Sequence, residues 1–373
     1  MEKIKGLYIA FQPLVRGTGI SDKIVAECEG LRNAALDMDF CYQIKDGDVF
    51  NYYLNNKPFY SIGKGFKAHI GLYYNYGPIY EYIKENKISF VYIRYIQIAN
   101  PFFNSFIRKI KKSGAVVYLE IPTYPYDGEY TQGILKNLQK KIEKRYRSFF
   151  KKYVDRIVTF TDKSSIFGIP SVNISNGLDM EKVPVRKEKK HSGINLVGVA
   201  MLSKWHGFDR IIEGMHTYYQ NGGNEQIHFY IIGGGDTIIS EYSNLVEKYK
   251  LGENVHFEGI KSGRELDPYF DNADIAIGCL ACHRKNVKSV KSLKNVEYAA
   301  RGIVFTYSED NADFDNSPYV LKQKPDETPI DINALISFVK ECKMTPSEIR
   351  KTVEERLSWN YQMKIVAESI NLL

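Results

Sequence analysis

Tryptophan is scarce in this chain of 373 residues, which has two, and cysteine is scarce too, with five. An odd number of cysteines scattered along a chain this long does not make a disulfide framework, so reduced thiols in a cytoplasmic setting are expected. No apolar run approaches the ~20 residues that a membrane-spanning helix needs. No short-period repeat and no low-complexity tract interrupts the sequence. The opening stretch, "MEKIKGLYIAFQPLV", runs straight into a strand-like segment without the cleavage site of a secretory leader, which again predicts a cytoplasmic protein. A net charge of +7 is modest, and no DNA- or RNA-binding module surrounds the basic residues, so no nucleic-acid partner is expected.

What is present is an average globular composition, 44% hydrophobic and 25% charged. The length exceeds one ordinary core and predicts two domains. Positive charge is concentrated in "KNLQKKIEKRYRSFFKKY" (136–153), where Leu138, Ile142, Tyr146, Phe149 and Tyr153 recur at helical spacing. Two readings fit: a basic amphipathic helix on an anionic membrane surface, or a helix with a solvated basic face and a core-facing stripe.

Short β-branched runs alternate with helical stretches through nearly the whole sequence. Strands are expected at 5–11, 90–96, 115–121, 156–161 and 171–175, and again at 194–200, 227–233, 254–259, 273–278 and 302–307. Such alternation predicts α/β architecture with parallel sheets covered on both faces. The charged stretch "KVPVRKEKKHSG" (182–193) has neither period and reads as a linker. The expected organisation is an N-terminal domain over 1–181, the linker, a second domain over 194–355, and a C-terminal helix over 356–373. Two doubly wound domains would face each other across a cleft at the carboxyl ends of their strands, where ligands bind.

Several motifs compete for the chemistry. Cys279-Leu-Ala-Cys282-His283 has the spacing of c-type haem attachment, but no export signal and no second cysteine pair accompanies it. It is read as incidental, Cys279 being a small buried hydrophobe at a strand end. Asp46-Gly47-Asp48 lies between two strand-like stretches and is read as a hairpin turn rather than a metal grip. Gly17 and Gly19 follow the first strand, and Gly233 and Gly234 follow a second-domain strand; both glycine loops suit close approach of backbone amides to an anion. "MLSKWHGFDRIIEG" puts Lys204 and His206 at a strand-to-helix turn. "VKSVKSLKNVEYAARG" opens a helix near Ser292, with Lys291 and Lys294 beside amides suited to phosphate oxygens. Glu297, about a turn further on, suits a ribose diol better than another anion.

These segments, with "NISNGLDMEKV" (173–183), "YIIGGGD", "VHFEGIKSGRELDPYFDNADIAIG" and "LKNVEYAARGIVFT", resemble family 4 glycosyltransferases of the GT-B fold, along essentially the full length. These are retaining enzymes that use nucleotide-sugar donors. The resemblance implies that Glu297 holds the donor ribose, that the backbone at Ser292 and Leu293 faces the diphosphate, and that Gly259 and Ile260 lie by the nucleobase. It implies that Gly17 and Gly19 form the glycine loop closing over the phosphates, and that the C-terminal helix crosses back onto the first domain. There are three departures. The first glutamate of the family's Glu-x7-Glu falls at Ser289. The family's arginine and lysine align near Met201 and His206, leaving Lys204, with Lys291 or Lys294, to supply positive charge. The first-domain histidine has no counterpart, and Glu120 is the nearest polar candidate. A similar "SKWHG" occurs in a surface-polysaccharide branch of the family. The expectation is a glycosyltransferase with Glu120 and Lys204 as catalytic residues, a UDP- or GDP-linked donor, and no metal. The acceptor would be a saccharide or lipid-linked saccharide, reached at the inner face of a membrane. A nucleotide-sugar epimerase or phosphorylase and a noncatalytic nucleotide-sugar-binding protein are the alternatives on this fold.

Overall fold

The computed structural model describes residues 3–15, 18–65, 70–127 and 134–372. The chain divides into two compact units, Met1–Ser175 with Trp359–Leu373, and Asn176–Ser358.

The strands of the first unit are β1 (Lys5–Pro13), β2 (Asp37–Asp46), β3 (Val49–Leu54), β4 (Lys57–Lys64), β5 (Phe90–Arg94), β6 (Val116–Ile121), β7 (Arg156–Thr159), β8 (Ser165–Ile166) and β9 (Ile169–Asn173). They form one sheet in the order β4-β3-β2-β1-β5-β6-β7-β9-β8. From β2 across to β9 all pairings are parallel, and β1, buried on both faces from Leu7 to Phe11, is central. A continuous apolar run is what such a strand requires. The β2–β3 hairpin turns through Gly47 at φ +56°, with Asp46 paired to Val49, so the Asp-Gly-Asp motif is a turn. The antiparallel strand β4 extends this hairpin at the sheet edge. It is absent from the sequence expectation because its half-exposed residues carry no strong period.

Helix Pro101–Lys112 begins where Asn100 accepts from the amides of Phe102 and Phe103, with Pro101 at its first position. The C-terminal helix Trp359–Ile370 packs on helix Gly19–Asn33. The contact needs glycine: a Cβ on Gly30 would stand 2.8 Å from both Met363 Cγ and the Trp359 carbonyl oxygen.

The strands of the second unit are β10 (Ile194–Val199), β11 (Ile227–Ile232), β12 (Val255–Phe257), β13 (Ile275–Ile277), β14 (Phe305–Tyr307) and β15 (Val320–Lys322). All pair in parallel, in the order β12-β11-β10-β13-β14-β15. Helices Phe208–Gln220, Asp236–Tyr249 and Leu293–Arg301 connect them and share their core. The strand order reverses between β10 and β13, which opens a crevice at their carboxyl ends. The 182–193 stretch has no helix or strand and is tied to this unit: the Arg186 amide donates to the Arg301 carbonyl at 2.9 Å.

Candidate functional site

The loops leaving β10, β11 and β13 in the second unit are laced together by backbone. Ala200 N donates to the Ile232 carbonyl at 2.9 Å and Leu202 N to the Gly234 carbonyl at 2.6 Å. Leu280 N donates to the His206 carbonyl at 2.9 Å. Gly233 sits at φ +143°, and a Cβ there would collide with the Ala200 carbonyl oxygen, so only glycine lets these loops approach. His206 is buried, and its Nδ1 accepts from the Ser203 amide at 3.0 Å. Burial, followed by the Lys294 charge, pushes its pKa down to about 2. The imidazole is therefore neutral and carries its proton on Nε2. It offers a hydrogen-bond donor rather than a cation.

Helix Leu293–Arg301 starts at Ser292, which has extended backbone and gives no side-chain cap. Its first-turn amides therefore stay available to an anion. The carbonyl of Lys291, just ahead, accepts from Asn176 Nδ2. Lys294 Nζ is buried with no hydrogen-bond partner among the described residues. Glu297 is 27% exposed, and its Oε1 accepts from Arg301 Nε at 2.9 Å. Arg301 is anchored in turn by Asp267 at 2.7 Å and by the Phe270 ring, 4.4 Å from its guanidinium carbon. Oε2 of Glu297 accepts from no described residue, so a fixed carboxylate keeps one oxygen for a further donor.

No family model matches the sequence, and no curated protein matches it by sequence. Solved structures do match. Sucrose-phosphate synthase from Thermosynechococcus elongatus matches with a TM-score of 0.70 at 11% identity, over 100% of this chain and 99% of that one. A glycosyltransferase from Rickettsia africae matches with a TM-score of 0.65 at 12% identity, over 100% and 98%. HepE from Anabaena, in complex with UDP-glucose, matches with a TM-score of 0.62 at 9% identity, over 99% and 100%. The chain has the GT-B fold.

Within the GT-B framework the remaining expected residues are spread widely. The Lys204 side chain is 66% exposed, and its Nζ lies 3.2 Å from Glu241 Oε1, beside a surface depression also lined by Asp209, Arg284 and Glu327. Gly259 adopts φ +69° with open space around it, and Ile260 is exposed. Gly19 begins its helix with open space where a side chain would stand, whereas Gly17 lies outside the described residues.

Glu120, on β6 of the first unit, is 0% exposed and accepts from Arg94 Nη1 at 2.5 Å and Tyr92 Oη at 3.0 Å. Lys23, Glu27 and Tyr8 complete this buried network. Tyr8 Oη donates to Glu27 at 2.6 Å, and Lys23 Nζ lies 3.6 Å from Glu27 and 3.8 Å from Glu120. Burial first, then Glu120, raises the Glu27 pKa, and burial pulls Lys23 down to about 8. Arg94 and Glu27 could not have been paired from sequence, because 67 positions separate them and no local pattern links them.

Sequence reasoning also passed over Glu309. It lies just past β14, is 1% exposed, and neither carboxylate oxygen has a hydrogen-bond partner among the described residues. Burial first, then Cys279, raises its pKa well above the carboxylate range. The nearest signal was "YSED" directly after a strand-like run, at a place where GT-B sheets present side chains.

Proposed function

We propose that the protein transfers a sugar from a nucleotide-diphosphate donor to an acceptor hydroxyl, with retention of configuration, in surface-polysaccharide assembly. The observation that carries this is the uncapped start of helix Leu293–Arg301, with Glu297 held a turn further on by Arg301. The leaving group departs as a nucleoside diphosphate, so negative charge grows on its outer phosphate. Amides at Ser292 and Leu293 receive that charge as preorganised dipoles, and Lys294, Lys291 and Lys204 add cationic character without a metal ion. His206, being neutral, donates from Nε2 and orients a phosphate or sugar oxygen. Glu297 accepts from the ribose, Gly259 and Ile260 border the base, and the glycine loop at Gly233–Gly234 admits the phosphates. Glu120 contributes by fixing Arg94 and the strand ends of the first unit, not by touching the sugar.

The basic helix favours work at an anionic membrane surface, on a lipid-linked saccharide. Helix Ile134–Tyr146 and the following turn bury Glu143, Arg147 and Phe150, while Leu138, Ile142 and Phe149 are 53%, 38% and 40% exposed among the lysines. Tyr146 and Tyr153 of that stripe pack against the core, whereas Leu138, Ile142 and Phe149 face outward among the lysines, and these three support the interfacial reading. Among the described residues no helix is long and apolar enough to cross a membrane.

Thermal-shift screening against UDP, GDP and their sugars tests the donor class, since a bound ligand raises the melting midpoint by mass action. Glu297→Ala should shrink the shift. A donor assay without acceptor separates the rivals: an epimerase converts the sugar unaided, whereas a transferase shows only slow hydrolysis. Donor binding in calorimetry with no product from any acceptor would leave a binding protein. Cosedimentation with phosphatidylglycerol vesicles, lost in high salt and in Leu138→Ser/Ile142→Ser, tests the surface reading.

A further inference from the structure

The cysteine pair that its sequence spacing left incidental lies with Glu309 in a buried group of polar atoms. Cys279, Cys282 and Glu309 are 7%, 2% and 1% exposed, and one ligand atom from each lies within 4.8 Å of the others. They come from the carboxyl ends of neighbouring parallel strands: Cys279 just past β13, Cys282 at the start of the turn Cys282–Lys285, and Glu309 just past β14. Backbone contacts fix this register. Ser308 N donates to the Cys279 carbonyl at 2.9 Å, and Val287 N donates to the Cys282 carbonyl at 3.2 Å. Neither oxygen of Glu309 has a hydrogen-bond partner among the described residues. A buried carboxylate without a partner is costly, and a cation in reach of both oxygens is what it lacks.

We propose that Cys279, Cys282 and Glu309 bind a thiophilic divalent cation, zinc by its chemistry. Two sulfurs and one oxygen suit zinc and disfavour magnesium or calcium, which take oxygen donors. The two cysteines supply their ligands from a single turn, as metal knuckles do. Zinc–ligand bonds of about 2.0–2.3 Å set ligand atoms about 3.5 Å apart around a tetrahedron, so side-chain rotation closes the remaining gap. The charges also balance. Two thiolates and a carboxylate are neutralised by one divalent cation together with the Lys294 ammonium, whose buried Nζ has no other partner among the described residues. The fourth position is left to water. The cation would tie the loop that carries Ser292 and Leu293 to the end of β14, and it takes no part in the transfer step.

Full-length protein, reduced and stripped with chelator, is titrated with zinc against a chromogenic competitor, and separately with cobalt(II). The expected results are one equivalent of zinc and a thiolate-to-cobalt charge-transfer band in the near ultraviolet. Cys279→Ser and Cys282→Ser should each diminish that band and weaken zinc binding by about tenfold or more, the scale seen when even an outer partner is lost. Glu309→Gln should weaken zinc yet keep the thiolate band, and should not lower the metal-free melting midpoint, because no described residue bonds either Glu309 oxygen. The inference is overturned if wild type retains no zinc. It is also overturned if the serine variants bind as wild type does, which would move the site to Cys28, Cys41 or Cys342. None of these readouts depends on a sugar nucleotide, so failure here and failure of the transferase reading are separable.

Discussion

Each unit collects charged side chains near the carboxyl ends of its central strands, and the two collections are treated in opposite ways. In the first unit Arg94, Lys23, Glu27, Glu120 and two tyrosines face one another, and most of their polar atoms have partners. In the second, Asn295 and Glu309 are buried and Lys294 is half-buried, and the Lys294 Nζ and the polar side-chain atoms of the other two are satisfied by no described residue. Buried polar groups in native proteins are normally satisfied. A largely satisfied cluster, in which Glu27 Oε1 and Arg94 Nε alone of the described buried polar atoms lack a hydrogen bond, accordingly reads as structure, and a deficient one as a place that awaits a ligand. The contrast argues that the first-unit network maintains the fold whereas the second unit carries the binding chemistry.

The contrast can be broken or sharpened by substitution. Arg94→Met should have the largest effect, leaving Glu27 and Glu120 buried with less compensation and costing about 3–5 kcal/mol in chemical denaturation. A loss below about 1 kcal/mol would mean that the network is not structural. Glu297→Ala should cut donor turnover by about 10- to 100-fold, some 1.4–2.7 kcal/mol of transition-state binding, with a nearly unchanged melting midpoint. Unchanged turnover would remove the ribose assignment.

A pH experiment isolates His206. Its folded pKa is depressed to about 2 from the ordinary 6.5, so the stability it contributes is present above 6.5 and is lost as pH falls from 6.5 towards 2. In that window wild type should lose up to about 1.4 kcal/mol per pH unit relative to His206→Gln, measured by urea denaturation at successive pH values. Parallel curves would show that the ring takes up its proton freely. The smallest effect belongs to Lys204→Ala. Its exposed contact with Glu241 should be worth under about 0.5 kcal/mol of stability, so any larger fall in turnover reports on catalysis alone.

Much of the architecture was readable in the sequence, because parallel strands buried on both faces write themselves as continuous apolar runs, as in "GLYIAF" and "INLVGV". The Asp46-Gly47-Asp48 hairpin was readable for a different reason, since Asp-Gly is chemistry that a tight turn demands. Edge strand β4 and the two-residue strand β8 were not, being half-exposed or too short for a period to register. In the candidate site, Ser292 and Glu297 were legible as a helix start and its first turns. The pairing of Glu297 with Arg301, the inward path of Lys294 and the outward path of Lys204 were not, because a rotamer leaves no trace in sequence spacing.

The sequence by itself determined the alternation of strand and helix, the glycine turns and the concentration of lysine on one helix, since these follow from local period, backbone conformation and composition. Only the tertiary structure decided which polar side chains meet. Glu120 joins Arg94 across β5 and β6, and Glu309 joins Cys279 and Cys282 across β13 and β14, in each case through strand register. Register is set by the packing of whole layers, which brings residues far apart along the chain to within a few ångströms.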